Sequence, residues 1–356
     1  MSYLAVIRHG HFSKLWAAQI LSVIAQNLLN FALIIIIYNL AQGTRFANVS
    51  VSLLVLSFGI PAIFFSAVAG IYVDHWDRKK VLVISNLLRG GLVLGYLVVG
   101  NNLLAILALT FTISSITQFF APAEAAAIPL LVGRAALLGA NALFVLTFYA
   151  CFILGYSASA PVINLFSTSG PFFLAAAMFF GAALLTLWLP RLTTVGKDAM
   201  PWRRIFAATG RELTANWQAI RTTPNLYFPI LQLSLVQALV GILLALAPAL
   251  SLALLKVELQ NASHVLVIPA GIGMVLGVMA VGRLVRRLSK ITLISTGLVV
   301  VGVALSLLGL AGQLYRQVAG SAIASTPTVA AVAAGLVLIL GLVNAIISVA
   351  AQTLLQ

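Results

Sequence analysis

Residues 69–83 read "AGIYVDHWDRKKVLV". Two aspartates (Asp74 and Asp77), one arginine (Arg78) and two lysines (Lys79 and Lys80) fall within seven residues, between two long apolar runs. The whole 356-residue chain has only six acids, so this short stretch holds two of them. Hydrophobic residues make up 62% of the chain and charged residues 7%, where a soluble domain carries roughly 25% charge. A soluble core of this size could not hide that much apolar surface. The composition therefore dictates a polytopic membrane protein, and the charged stretch is a loop between two spans.

Working outward from that loop, ten runs reach the ~20 apolar residues that a spanning helix needs. They cover residues 15–40, 49–73, 80–100, 103–121, 136–162, 170–189, 227–250, 263–283, 291–312 and 328–350. Backbone groups in lipid must pair internally, so these leucine-, alanine- and valine-rich runs read as helices. With the N-terminus in the cytoplasm, sixteen of the twenty lysines and arginines fall in cytoplasmic segments. Only Arg45, Lys256 and Arg316 fall outside, and Arg89 lies within the third span. That asymmetry fixes the orientation by the positive-inside rule and implies a multi-pass plasma (inner) membrane protein.

The same rule accounts for the net charge of +14, so no nucleic-acid partner is expected. The single cysteine, Cys151, excludes an internal disulfide. The four histidines have no metal-ligand spacing. No cofactor and no metal are expected, and the absence of a P-loop argues against ATP-driven pumping.

The longest polar stretch, Pro190 to Thr223, separates the first six spans from the rest. Phe206, Leu213, Trp217 and Ile220 recur there at helical spacing, with arginines between them. This pattern reads as a basic amphipathic helix that lies on the inner leaflet and tethers two halves.

The opening stretch also matches a signature of the form GxxxDRxGRR. Gly70, Asp74, Arg78 and Lys79 fall on it, His75 replaces its first arginine, and Asp77 replaces its glycine. In this the chain resembles the major facilitator superfamily, which carries the signature between its second and third helices. "FSKLWAAQILSVIAQNLLNFAL", "QFFAPAEAAAIPLLV", "RELTANWQAIRTTPNL" and "NAIISVAAQTLLQ" resemble, in order, further segments of its bacterial enterobactin-exporter and macrolide-efflux branch.

The resemblance implies an all-α membrane protein with the major facilitator fold. Its parts would be a six-helix bundle over 1–189, a cytoplasmic linker over 190–226 and a partial second bundle over 227–356. It implies a monomeric secondary active transporter, a proton-coupled exporter of hydrophobic or amphipathic small molecules. Membrane lipid would be its other partner. The alternatives are a non-transporting scaffold or receptor derived from a transporter fold and, further off, a membrane-embedded transferase.

The resemblance assigns Gly70, Asp74, Asp77, Arg78 and Lys79 to an inner gate that docks against an eleventh helix. From the residues themselves, Gly70 reads as a point of close helix approach. Asp74 and Asp77 read as acids at the start of the third helix, and Arg78, Lys79 and Lys80 as groups facing the cytoplasm and anionic lipid. Ionisable residues inside spans are functional hypotheses in their own right. Arg89 could bind an anionic group or join the third helix to its neighbours. Glu124 could pair with Arg78, Arg89 or Arg134, or carry a proton.

In the superfamily the first, fourth, seventh and tenth helices line the central cavity. That makes Gln26, Asn30, Gln118, Gln237 and Asn344 cavity candidates, with interhelical hydrogen bonding as the other reading of each. "GYSASAP", Gly155 to Pro161, is a degraded form of an antiporter signature, and its Gly155, Ala158 and Pro161 face reads as a packing surface.

Members of the superfamily have twelve helices and ten are legible here. The expectation is a fragment ending after the tenth helix, and this 356-residue chain alone is expected not to transport. Uptake by vesicles of the purified chain, equal to that of a full-length relative, would contradict this.

Overall fold

The computed structural model describes residues 10–193, scattered positions between 209 and 242, residues 263–318 apart from 286, and residues 326–355. Among these there is no strand. The helices are α1 (Gly10–Ala41), α2 (Ala47–His75), α3 (Arg78–Leu94), the short α4 (Tyr96–Val99), α5 (Leu103–Leu131), α6 (Arg134–Phe166) and α7 (Gly170–Leu187). A π-helical turn, Ser263–Val267, then precedes α8 (Ile268–Leu284), α9 (Lys290–Val318) and α10 (Thr326–Leu355).

Nine helices among the described residues are long and apolar enough to cross a membrane, taking α3 and α4 as one. They match nine of the ten expected spans. The seventh, over 227–250, lies largely outside the described residues, as does most of the amphipathic linker helix; Trp217, which belongs to it, is exposed. Ile63, Phe64, Val98 and Leu104 stand exposed on their helices, as a surface solvated by lipid allows.

By contact the chain divides into one unit of Met1–Leu40 with Leu53–Trp217 and another of Ala41–Ser52 with Gln218–Gln356. In the first, α3 packs along both α5 and α7. α1 is buried nearly all round between Leu28 and Ile35. It is held to α6 by Trp16 Nε1 donating to Thr147 Oγ1 (2.9 Å) and by Ser159 Oγ donating to the Leu28 carbonyl (2.9 Å). Phe12 on Phe144 and Phe31 on Tyr156 add ring contacts.

Gly155 makes this approach possible: a Cβ there would lie 2.7 Å from Asn27 Cβ and 2.8 Å from the Ile24 carbonyl oxygen. The packing face of the degraded antiporter signature is therefore Gly155, Ser159 and Ala160, while Pro161 is exposed. The i, i+4 step from Gly155 to Ser159 follows the helix repeat more closely than the expected face did. In α5, Pro122 and Pro129 both lie inside the helix.

In the second unit, α10 packs along α8 and α9. Gly273 and Gly277 of α8 form a GxxxG step, and Gly341 of α10 faces them. A Cβ on Gly273 would meet the Leu338 carbonyl, one on Gly277 the Leu342 carbonyl, and one on Gly341 the Ala270 carbonyl. The two backbones touch, which is how helices associate where lipid removes the hydrophobic drive.

Gly277→Val is therefore expected to destabilise the chain by about 1–3 kcal/mol through overpacking. Gly302→Ala, in open space on α9, should raise stability by up to ~1 kcal/mol through helix propensity. Thermal unfolding of both variants in detergent checks the contrast.

Candidate functional site

The α2–α3 loop is built by two helix ends. α2 runs through His75, so Asp74 lies in its last turn and not at the start of α3. Asp77 is the N-cap of α3: its Oδ1 accepts from the Lys79 backbone N–H at 3.0 Å. An acid at this position satisfies one of the donors that every helix start leaves unpaired.

Arg78 is 4% exposed and points inward, in place of the cytoplasm-facing position read from the sequence. Its Nη1 donates to the Leu192 carbonyl (3.4 Å), and its Nη2 stands 3.9 Å from Asp74 Oδ1. The inward turn follows from the Leu192 carbonyl, which receives the guanidinium from far along the chain. Val73, Val81, Leu82 and Leu192 belong to one apolar cluster. Lys79 is half-buried and Lys80 exposed. Gly70 has no described atom within 4 Å of where a Cβ would sit. The close approach expected there is absent among the described residues, and the neighbouring turn is filled by Tyr72, stacked on Trp76 (4.7 Å) and edge-on to Phe119.

Deeper in the same unit lies a buried polar cluster. Arg89 is 1% exposed. Its guanidinium lies between the rings of Phe120 on α5 and Phe179 on α7, with centroids at 4.2 and 4.6 Å. Its Nη2 donates to Asn86 Oδ1 at 2.6 Å and its Nε to the Ser85 carbonyl at 3.4 Å. Asn86 Oδ1 also accepts from Ser22 Oγ of α1 (2.9 Å). Through these contacts Arg89, 1% exposed, joins α3 to α5 and α7, and to α1 by way of Asn86.

Glu124, one turn beyond Phe120 on α5, is also buried and interacts electrostatically with Arg89. The two are not within 4.0 Å, and Glu124 Oε1 has no hydrogen-bond partner. Gln19 Oε1 and Asn86 Nδ2 are likewise buried and unpaired. Of the three arginines the sequence offered Glu124, the geometry selects Arg89. Arg78 is turned to Leu192, and the Arg134 side chain lies outside the described residues.

The cavity candidates divide. Gln26 Nε2 donates to Asn30 Oδ1 (2.9 Å) and Gln26 Oε1 accepts from Thr117 Oγ1 (3.4 Å), which brings α1 and α5 together through half-buried polar groups. Gln118 donates to the Ser114 carbonyl of its own helix (3.3 Å). Gln237 lies outside the described residues. Asn344, in the second unit, has a buried Oδ1 without a partner. Ser22 and Asn86 escaped the sequence reading. The available signal was the i, i+3 step from Asn86 to Arg89, which places both on one face of α3. Among the described residues no group of three or more His, Cys, Asp or Glu could hold a metal.

The Major Facilitator Superfamily pattern matches residues 15–356. Two uncharacterised MFS-type transporters of Bacillus subtilis (strain 168) are similar: YkuC is 26% identical over 153 residues, which are 42% of this chain and 36% of YkuC. YfiS is 27% identical over 158 residues, 44% of this chain and 38% of YfiS. The chain thus aligns with little more than a third of the length of these curated relatives.

Among solved structures, the nucleoside transporter NupG, as a point mutant, superposes with a TM-score of 0.66 at 16% identity, over 96% of this chain and 90% of that one. A bacterial homologue of the human lysosomal transporter Spinster, in an inward-facing and occupied conformation, gives 0.68 at 11% identity, over 100% and 78%. These likenesses are of fold.

Removing one partner of a buried charge pair strands the other. Arg89→Gln is expected to destabilise the protein by about 1–3 kcal/mol, chiefly through the bonds its charged group makes to Asn86 and Ser85, and adding Glu124→Gln should restore part of the loss. Thermal unfolding of the two single variants and the double variant measures the coupling.

Proposed function

The chain belongs to the major facilitator superfamily, and from that premise we propose that it works as a secondary active transporter by alternating access. In this reading residues 1–189 form the N-terminal bundle and residues 190–226 the cytoplasmic linker. Residues 227–356 contribute to the second bundle, and the α2–α3 loop is the inner gate on the cytoplasmic side of the plasma membrane. The substrate is a hydrophobic or amphipathic small molecule, exported in exchange for protons. Few charges line the spans, which suits lipophilic cargo better than sugars or phosphates. The half-buried Gln26, Asn30 and Thr117 group supplies polar contacts near the midplane, where transporters of this kind bind.

The observation that carries proton coupling is the buried Glu124 carboxylate with an unpaired oxygen, held in the field of Arg89. A buried carboxyl with one oxygen free of hydrogen bonds can take up a proton there without breaking one. Arg89 is positioned by two rings and Asn86, so it keeps its place in either protonation state of Glu124.

Proteoliposomes with the purified protein, loaded with a lipophilic cationic dye under an imposed pH gradient, test the reading. Wild type is expected to accumulate dye against its gradient. Glu124→Gln is expected to lose that accumulation by about 5- to 150-fold, the usual range of a coupling free energy, while downhill exchange persists. Preferential transport of nucleosides, or full coupling in Glu124→Gln, would overturn it.

A further inference from the structure

The position where the superfamily signature carries glycine holds Asp77 in this chain, and its carboxylate does more than cap α3. The same Oδ1 that accepts from the Lys79 N–H accepts from the Leu192 N–H at 3.1 Å. The return contact comes from the next residue: the Arg78 backbone N–H donates to the Leu192 carbonyl at 3.2 Å, and Arg78 Nη1 donates to the same oxygen at 3.4 Å. Both backbone groups of Leu192 are therefore taken by the α2–α3 loop, across 115 residues of sequence. The Leu192 side chain is 2% exposed and packs in the cluster with Phe12, Val73, Val81 and Leu82. Leu192 lies five residues beyond the end of α7 at Leu187, at the point where the polar stretch between the two sets of spans begins.

We propose that Asp77 is a positioning residue that clamps the chain leaving α7 to the α2–α3 loop, so that the loop bearing Asp74 and the first residues of the linker move as one piece. The clamp itself stands on contacts within one unit. Its consequence for an inner gate rests on the transport reading above.

The chemistry makes Asp77 the necessary member. Leu192 offers an ordinary amide, and a carboxylate that receives two N–H groups forms charge-assisted bonds about twice as strong as neutral ones. Glycine at 77 would leave the Lys79 and Leu192 amides without that acceptor. Asparagine would keep an acceptor oxygen and lose the charge. Arg78 depends on the same arrangement. Its side chain stays buried because the Leu192 carbonyl is in place to receive it, which leaves Asp74 with a single distant cation and a side chain 57% exposed. Any pull on the chain after Leu192 is thereby delivered to Asp77 and Arg78, at the start of α3.

Amide hydrogen exchange of the full chain in lipid nanodiscs tests the clamp. Relative to wild type, exchange at Leu192 should quicken roughly ten- to hundredfold in Asp77→Gly, as loss of a bond to a charged group implies, and by an intermediate factor in Asp77→Asn. Peptides over Phe144 to Tyr156 should not change. Unchanged Leu192 exchange in Asp77→Gly would overturn the clamp; should the glycine variant fail to fold, the isosteric Asp77→Asn decides the same point.

A second readout separates positioning from general loosening. The one native thiol, Cys151, is buried, so a His75→Cys reporter next to Asp74 can be followed with a membrane-impermeant maleimide. Its labelling should quicken in the Asp77→Gly background. It should stay at the wild-type rate with Gly90→Ala, which disturbs α3–α7 packing by placing a Cβ 2.9 Å from the Phe180 ring. Equal effects of the two substitutions would reduce Asp77 to a packing residue. Absence of any dye transport by wild type would count against the transport reading and leave both of these measurements standing.

Discussion

A guanidinium group with 1% exposure inside a helical unit constrains everything around it. Arg89 is buried within a span, and lipid offers it no water. Its donors and both its faces must therefore be met by protein. Two phenyl rings from different helices, the Ser85 carbonyl and an asparagine one turn away contribute to that, with an acid on α5 acting at longer range. The same asparagine oxygen takes the Ser22 hydroxyl, so α1 is brought into the arrangement. Four helices are thus set in register by one side chain. Apolar packing alone would specify their contacts far more loosely, because a lipid tail satisfies leucine as well as another leucine does.

How much of this was legible in the sequence follows from which signals are local. Spans are visible because length and hydropathy are properties of a single segment. The α2–α3 loop is visible because a cluster of charge between apolar runs stands out in so uncharged a chain. Asp77 could be placed near a helix start from its neighbours alone. Its second partner could not, because Leu192 carries no polar side chain and offers only backbone, which sequence does not mark. Arg78 was misread for a related reason. A basic residue in a loop is normally solvated, and nothing local announces that a carbonyl from far along the chain will turn it inward.

The glycine contacts lie between these cases. Gly273 and Gly277 form a spacing that can be read directly, yet their partner Gly341 can be named only once α8 and α10 are known to be neighbours. Gly155 was read as part of a packing face, but the α1 backbone it packs against could be named only from the structure. Small residues in membrane helices are common, so each is informative only in the presence of its opposing backbone.

The two prolines of α5 bear on Glu124 in a way that side-chain contacts do not reveal. Pro122 and Pro129 lack the N–H groups that would otherwise bond the carbonyls of Gln118 and Ala125. Seven residues apart, they are offset by only about 20° around the helix axis, so bends at the two sites add in one direction. Glu124 lies between them along the helix, on the opposite face, about 200° from Pro122. The depth of this acid is thus a mechanical variable of α5, set by how far the helix bows as well as by what surrounds the carboxylate.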